Sequence, residues 1–151
     1  MSSALHKVIV KGWVEKNGKY LLAKRASTEK HHAGVWSLPG GNIETDIADN
    51  IIETTLQREI EEEIGIKVSE NMELIYNNSF IKTSDGSHVI NLTFICHWES
   101  GIEKPLEDTE ELKWYSLEEL EQLENKPDFL EKEVLNLRRF LVAKQFGSLH
   151  K

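Results

Sequence analysis

Residues 58–66 read REIEEEIGI, with four glutamates in the five positions from Glu59 to Glu63, Arg58 ahead of them and Gly65 behind. On a helix of about 3.6 residues per turn, Glu59, Glu62 and Glu63 fall on one side, and Glu61 points away from them. Ile52, Leu56, Ile60 and Ile64 form an apolar stripe beside the Glu63 edge of that group. The three carboxylates therefore flank the buried side, whereas a solvated acidic face would lie opposite it. Carboxylates crowded beside a core are costly unless they are paired or metal-bound. Arg58 alone cannot balance three of them. Hard divalent ions can, since they take oxygen ligands and are commonly shared between a few carboxylates and substrate phosphates. One reading is therefore phosphoryl chemistry assisted by metal ions. The other is an ordinary solvated glutamate-rich helix.

The segment Pro39-Gly40-Gly41-Asn42-Ile43-Glu44 lies just upstream. Glycines let a backbone approach an ion or a phosphate closely and leave its carbonyls free to ligate. With this loop in front, the chain resembles the Nudix hydrolase family, whose signature is G-x5-E-x7-R-E-U-x-E-E-x-G-U, U being a bulky aliphatic residue. Arg58, Glu59, Ile60, Glu62, Glu63, Gly65 and Ile66 fit the second half at every specified position. VWSLPGGNIE also looks like the family's approach to this box, and the resemblance runs from about residue 5 to 120. There is one departure. Counted from Gly41 the arginine would stand at 55, yet it stands at 58, so three residues are inserted within TDIADN. The first motif glutamate then has no clear counterpart, and Asp46, Asp49 and Asn50 compete for its place. A longer loop is expected, not a dead enzyme.

The resemblance implies a hydrolase that cleaves the diphosphate linkage of a nucleoside diphosphate joined to another moiety. Glu59, Glu62 and Glu63 would bind Mg²⁺ or Mn²⁺, with the Gly40 carbonyl as a further ligand and Arg58 orienting Glu59 or Glu62. The general base varies within the family and would be Glu63, or Glu110 or Glu111 of the stretch EDTEELKW. Arg25 ends the second strand, where MutT-type members often place a phosphate-contacting arginine, and reads equally as an exposed strand-end charge; Asn125 lies in a region some of them use for base recognition. His31 and His32 could reach substrate but read as surface histidines. Trp36 and Phe80 could stack on a base, though core or rim packing suits them better. The short chain points to the MutT-like group acting on (deoxy)nucleoside triphosphates. Nucleotide sugars, ADP-ribose, NADH, dinucleoside polyphosphates, or nucleotide binding without cleavage stay open.

Several elements must position these residues. HKVIVKGWVE and KYLLAKR read as strands joined by an Asn17-Gly18 turn. VWSLPGG reads as a short strand after a loop, broken by Pro39, Gly40 and Gly41. Asn50 with Glu53 gives a capping-box pattern and Gly65 a left-handed stop, which bounds a helix from Ile51 to Ile64. MELIYNNSFIKT and SHVINLTFICHW flank a Ser84-Asp85-Gly86 turn. LKWYSLEEL passes from strand to a short helix near Ser116. A final helix from about Asp128 to Gln145 carries Phe129, Leu130, Val134, Leu137 and Leu141 as its packed stripe. The expected fold class is α/β (α+β), a mixed β-sheet sandwiched between α-helices.

Composition agrees with one soluble domain over residues 1–151, since domains of roughly 100–150 residues are the commonest. The charge balance, 18 basic against 26 acidic residues for a net −8, disfavours a nucleic-acid polymer as partner and favours a small nucleotide brought in with cations. Cys96 is the only cysteine and reads as a small core residue. No stretch reads as a signal peptide or membrane span, so a cytoplasmic monomer or homodimer is expected.

Overall fold

The alternation of β-branched and aromatic residues from His6 onwards builds the centre of the sheet. The computed structural model describes residues 5–26, 34–44 and 47–149. Strand β1 (His6–Lys16) turns at Asn17-Gly18 into β2 (Lys19–Arg25). Both turn residues have positive φ, 53° and 74°, as a type I′ hairpin requires. The short strand is broken at Pro39 as expected, but the chain pairs again at once: β3 (Trp36–Ser37) lies on β2 and β4 (Gly40–Asn42) on β1. Pro39 separates them, because it has no N–H for a ladder.

Helix α1 (Ile51–Ile64) follows, then β5 (Lys67–Ile81), β6 (His88–Ser100) and β7 (Thr109–Tyr115). Strand β5 begins five residues before the expected Met72, because β6 extends far enough to pair with it through irregular register. The chain closes with α2 (Leu117–Gln122) and α3 (Asp128–Leu149). Ser116 caps α2 in a reciprocal box with Glu119. The seven-stranded sheet runs β3-β2-β1-β6-β5, with β4 on β1 and β7 on β2. It is mixed: β1 and β6 are parallel and the remaining pairs antiparallel.

Period-two alternation sends neighbouring strand residues to opposite faces. Val10, Val14, Phe94 and Cys96 pack with Leu56, Ile60 and Ile64 of α1. Trp13, Ile95 and Tyr115 pack with Leu120, Leu130, Val134 and Leu137 of α2 and α3. The sheet thus lies between helices, as its pattern predicted. Among the described residues no helix is long and apolar enough to cross a membrane.

One local expectation is corrected. Asn50 does precede α1, but it adopts φ 54° and its side chain makes no capping hydrogen bond. The capping box requires extended backbone at that residue, so the Asn50–Glu53 pattern is not used. Gly65, at φ 72°, ends the helix in the left-handed conformation expected of it.

Candidate active site

The apolar stripe fixes how α1 lies. Leu56, Ile60 and Ile64 are fully buried against the sheet, each contributing about 1.5–3 kcal/mol. With that face committed, the helix turns Glu59 and Glu63 into a cleft of about 280 Å³. Arg25, Leu38, Gly40, Gly41 and Glu44 line it from β2 and the glycine loop, and Glu107 and Asp108 line it from the β6–β7 connection.

The glycine loop fits closely over the carboxylates. The N–H of Gly40 donates to Glu63 Oε2 at 3.4 Å, so it is this amide that the structure turns to the glutamate. A Cβ at Gly40 would collide with the Val10 carbonyl oxygen. A Cβ at Gly41 would stand 2.6 Å from Glu59 Cδ. The first glycine therefore lets β4 lie on β1, and the second leaves Glu59 its room.

Arg58 stands 3.8 Å from Glu59 Oε1 and 3.9 Å from Glu62 Oε1, bridging both carboxylates. Glu62 itself is half-exposed and forms the rim, outside the residues that line the cleft. Glu61 is exposed, as the helical wheel predicted.

Burial pushes the Glu63 carboxyl up to about 8. The charges of Glu59 and Glu107 act in the same sense, and the Gly40 amide and Arg25 act against them. Glu59 is also raised, by burial first and then by Glu62, with Arg58 opposing. Burial is the first cause of both shifts, and the neighbouring carboxylates add to it. All the site's donors are hard oxygens, the chemistry of Mg²⁺ or Mn²⁺ and not of a soft metal. The Gly41 cradle keeps Glu59 accessible to such an ion. Among the described residues no three acidic side chains are already gathered around one point.

The other expected residues divide. Arg25 lines the cleft and acts electrostatically on Glu63. Glu110 lies 4.0 Å from Lys24, and Glu111 stands opposite Lys24 in the β2–β7 ladder; neither lines the cleft. Asn125 is exposed at the α2–α3 turn with φ 59°, also away from the cleft lining. Trp36 packs on the core under α3, and Phe80 is exposed near the far end of β5. His31, His32 and Asp46 fall outside the described residues, while Asp49 is exposed.

Glu44, Glu107 and Asp108 were not anticipated as site residues. The connection that carries the last two is strapped to the end of α1. Lys104 N–H donates to the Ile64 carbonyl at 3.0 Å and Leu106 N–H to the Glu63 carbonyl at 2.9 Å. These bonds satisfy carbonyls that the helix terminus leaves open. Ala26 N–H in turn donates to the Asp108 carbonyl at 2.8 Å. Glu107 is held at φ 48°, a conformation that is strained for a residue with a Cβ and gathers at functional sites. The signal was present in EDTEELKW. With Leu112 and Trp114 facing the core, β7 starts at Thr109, which leaves Glu107 and Asp108 as the loop residues at the strand's mouth.

The model of the NUDIX domain matches residues 6–137. A MutT-like protein of Streptomyces ambofaciens is 32% identical over 123 residues, covering 80% of this chain and 71% of that protein. The CTP pyrophosphohydrolase of Escherichia coli strain K12 is 36% identical over 61 residues, 40% of this chain and 42% of that enzyme. Among solved structures, a MutT NUDIX hydrolase from Burkholderia pseudomallei superposes with a TM-score of 0.72 at 26% identity, covering 87% of this chain and 98% of its own.

Proposed function

The chain belongs to the NUDIX family and is a nucleotide pyrophosphohydrolase, and on that premise we propose that it is a metal-dependent enzyme acting on (deoxy)nucleoside triphosphates. The observation that carries the reading is the cleft in which Glu59 and Glu63 are partly buried against a glycine loop, with Arg25 alongside. Glu59 and Glu63 would hold Mg²⁺ or Mn²⁺, joined by Glu62 from the rim and by Glu107. Bound there, the ions would supply neutralisation of charge on the phosphate oxygens.

The chain's own groups do the rest. Arg25 offers a guanidinium to the phosphates of the incoming nucleotide. Arg58, paired with both Glu59 and Glu62, would orient them. Glu63, once it has lost its own proton, or Glu107, which also lines the cleft, would accept the proton of the attacking water. The half-enclosed cleft limits competing water. Triphosphates are favoured over other nucleoside diphosphate derivatives because the relatives bear the names MutT-like protein, CTP pyrophosphohydrolase and nucleoside triphosphatase.

A hydrolysis panel tests this reading. Nucleoside triphosphates, nucleotide sugars, ADP-ribose, NADH and dinucleoside polyphosphates are each incubated with Mg²⁺ and with Mn²⁺. Release of nucleoside monophosphate and pyrophosphate, fastest from triphosphates and abolished by chelation, is expected. Faster turnover of another class would move the substrate assignment, and turnover unaffected by chelation would remove the metal.

A further inference from the structure

Strand β5 lies at one edge of the sheet: among the described residues it pairs with β6 on one side, and no strand pairs its other side. A bare edge offers unpaired N–H and C=O groups to any other strand, and proteins commonly blunt it with charges or bulges. The first half of β5 is blunted in that way. It carries Lys67, Glu70 and Glu73, and its register with β6 slips between Lys67 and Val68, between Val68 and Met72, and between Leu74 and Tyr76. The second half is not. From Tyr76 to Ile81 the register is unbroken, and no charge stands between Glu73 and Lys82. Leu74, Phe80 and Ile81 are exposed there, at 50%, 42% and 59%.

The bare half has the same order of residue classes from either end. Tyr76-Asn77-Asn78-Ser79-Phe80 runs aromatic, polar, Asn, polar, aromatic, with Asn78 at its midpoint. Two such strands laid antiparallel about Asn78 set Tyr76 opposite Phe80 and Asn77 opposite Ser79, twice over, about a twofold axis. The bulge extends the match. Leu74 pairs with Phe94 and Tyr76 with Thr93, so Ile75 has no place in the count along the ladder. Beyond it Leu74 comes opposite Ile81, and Glu73 comes opposite Lys82, whose N–H continues the ladder on the Ser87 carbonyl at 2.8 Å. The two exposed aliphatic side chains therefore meet, and the two charges that bound the bare stretch have opposite sign. The faces agree as well. Glu73, Tyr76, Asn78 and Phe80 stand beside Ile95, Thr93, Asn91 and Val89 on the α3 face. There Thr93 Oγ1 donates to Oε2 of the buried Glu133 at 2.8 Å. Asn91 Nδ2 donates to Asn78 Oδ1 at 3.1 Å, which leaves the Asn78 amide protons for a residue facing it.

An unrelated strand would use only the backbone of this edge. The symmetric order of its side chains serves an identical strand running the other way. We propose that the edge from Glu73 to Lys82 is a dimer interface, filled by the same strand of a second copy of this chain across a twofold axis at Asn78. The contact is isologous and closed, and it joins two seven-stranded sheets into one. Glu73 already accepts from Lys144 Nζ at 2.9 Å, and its carboxylate has room for a second cation. Lys82 makes no ion pair with its own chain among the described residues, so its charge is available to the partner.

Sedimentation of the full chain over roughly 5–200 μM should show a monomer–dimer equilibrium and no larger species. Asn78→Cys sets two thiols opposite one another at the axis, with Cα atoms about 4.5–5.5 Å apart, and should oxidise to a disulfide-linked dimer. Ile81→Cys, whose two copies would lie roughly 20 Å apart along the strands, should not. Cys96 is buried and should take part in neither reaction. Glu73→Lys and Lys82→Glu should each raise the dimer Kd about tenfold, and the double variant should recover most of that loss. Melting curves establish that each variant is folded. A wild-type chain that stays monomeric throughout, leaving the edge to another protein's strand or to none, overturns the proposal without any variant. Open-ended growth past the dimer also overturns it. So does a dimer in which Ile81→Cys cross-links as readily as Asn78→Cys, or whose Kd is unchanged by both charge reversals.

Discussion

The backbone N–H of Gly40 and Glu63 Oε2 face one another across 3.4 Å, joining the glycine loop to the acidic helix at the deepest carboxylate of the cleft. That contact is long for a hydrogen bond, and burial outweighs it, so Glu63 is held up to about 8. A carboxyl in that state keeps its proton at neutral pH, so a cation must displace it in order to bind.

The first consequence is pH dependence of metal affinity. Metal binding requires the carboxylate, so an ion must displace the Glu63 proton at any pH below about 8. Calorimetric titration with Mg²⁺ in buffers of different ionisation enthalpy should show proton release near neutrality. Affinity should weaken by up to about tenfold for each pH unit below that range. An affinity flat between pH 6 and 8.5 would show that Glu63 is already ionised.

The same shift has a stability sign in the metal-free protein. The folded state holds the Glu63 proton more tightly than an unfolded chain, whose carboxyl has the ordinary value of 4.5. The contribution is therefore fully present below about 4.5 and is lost as pH rises through about 8. Glu63→Gln removes that loss. At pH 8 without metal the variant should melt higher than wild type, by about 5 °C, with the two curves converging at acid pH. A variant that melts lower at pH 8 contradicts the burial argument.

The two glycines should fail in different ways. Gly40→Ala places its Cβ against the Val10 carbonyl and should lower Tm markedly, because backbone must move. Gly41→Ala meets the side chain of Glu59, which can rotate away. Its Tm should change by only a few degrees, while Mg²⁺ affinity and kcat both fall by about tenfold or more. Thermal melts and steady-state kinetics on the two purified variants separate these outcomes.

Glu107 should matter more than the two glutamates that follow it. Glu107→Gln is expected to lower kcat by about tenfold or more, whereas Glu110→Gln and Glu111→Gln stay within about twofold of wild type. Equal losses in all three would point to a general effect of negative charge near the cleft.

The parts of the site that could be read from the chain are those governed by local periodicity. Leu56, Ile60 and Ile64 fix the buried face of α1 by spacing alone, and the direction of Glu59, Glu61 and Glu63 follows from that face. Gly65 and the Asn17-Gly18 turn are legible because only certain residues adopt positive φ easily. Glu107 and Asp108 owe their place to hydrogen bonds between distant segments, Leu106 to Glu63 and Ala26 to Asp108, which leave no period in the sequence. Asn50 has the composition of a cap without its conformation. Glu133 was legible in principle: it lies three residues after Leu130 and four before Leu137, on the buried stripe of α3, where a charged residue needs a reason.

The most direct measurement compares nucleoside triphosphate turnover by wild type, Glu59→Gln and Glu63→Gln under saturating Mg²⁺, with circular dichroism confirming that all three are folded. Glu59 and Glu63 as the ligands and reactive carboxylates of the cleft predict nucleoside monophosphate and pyrophosphate from wild type, with kcat lower by about 10²-fold or more in each variant. Undiminished turnover in both folded variants would contradict it.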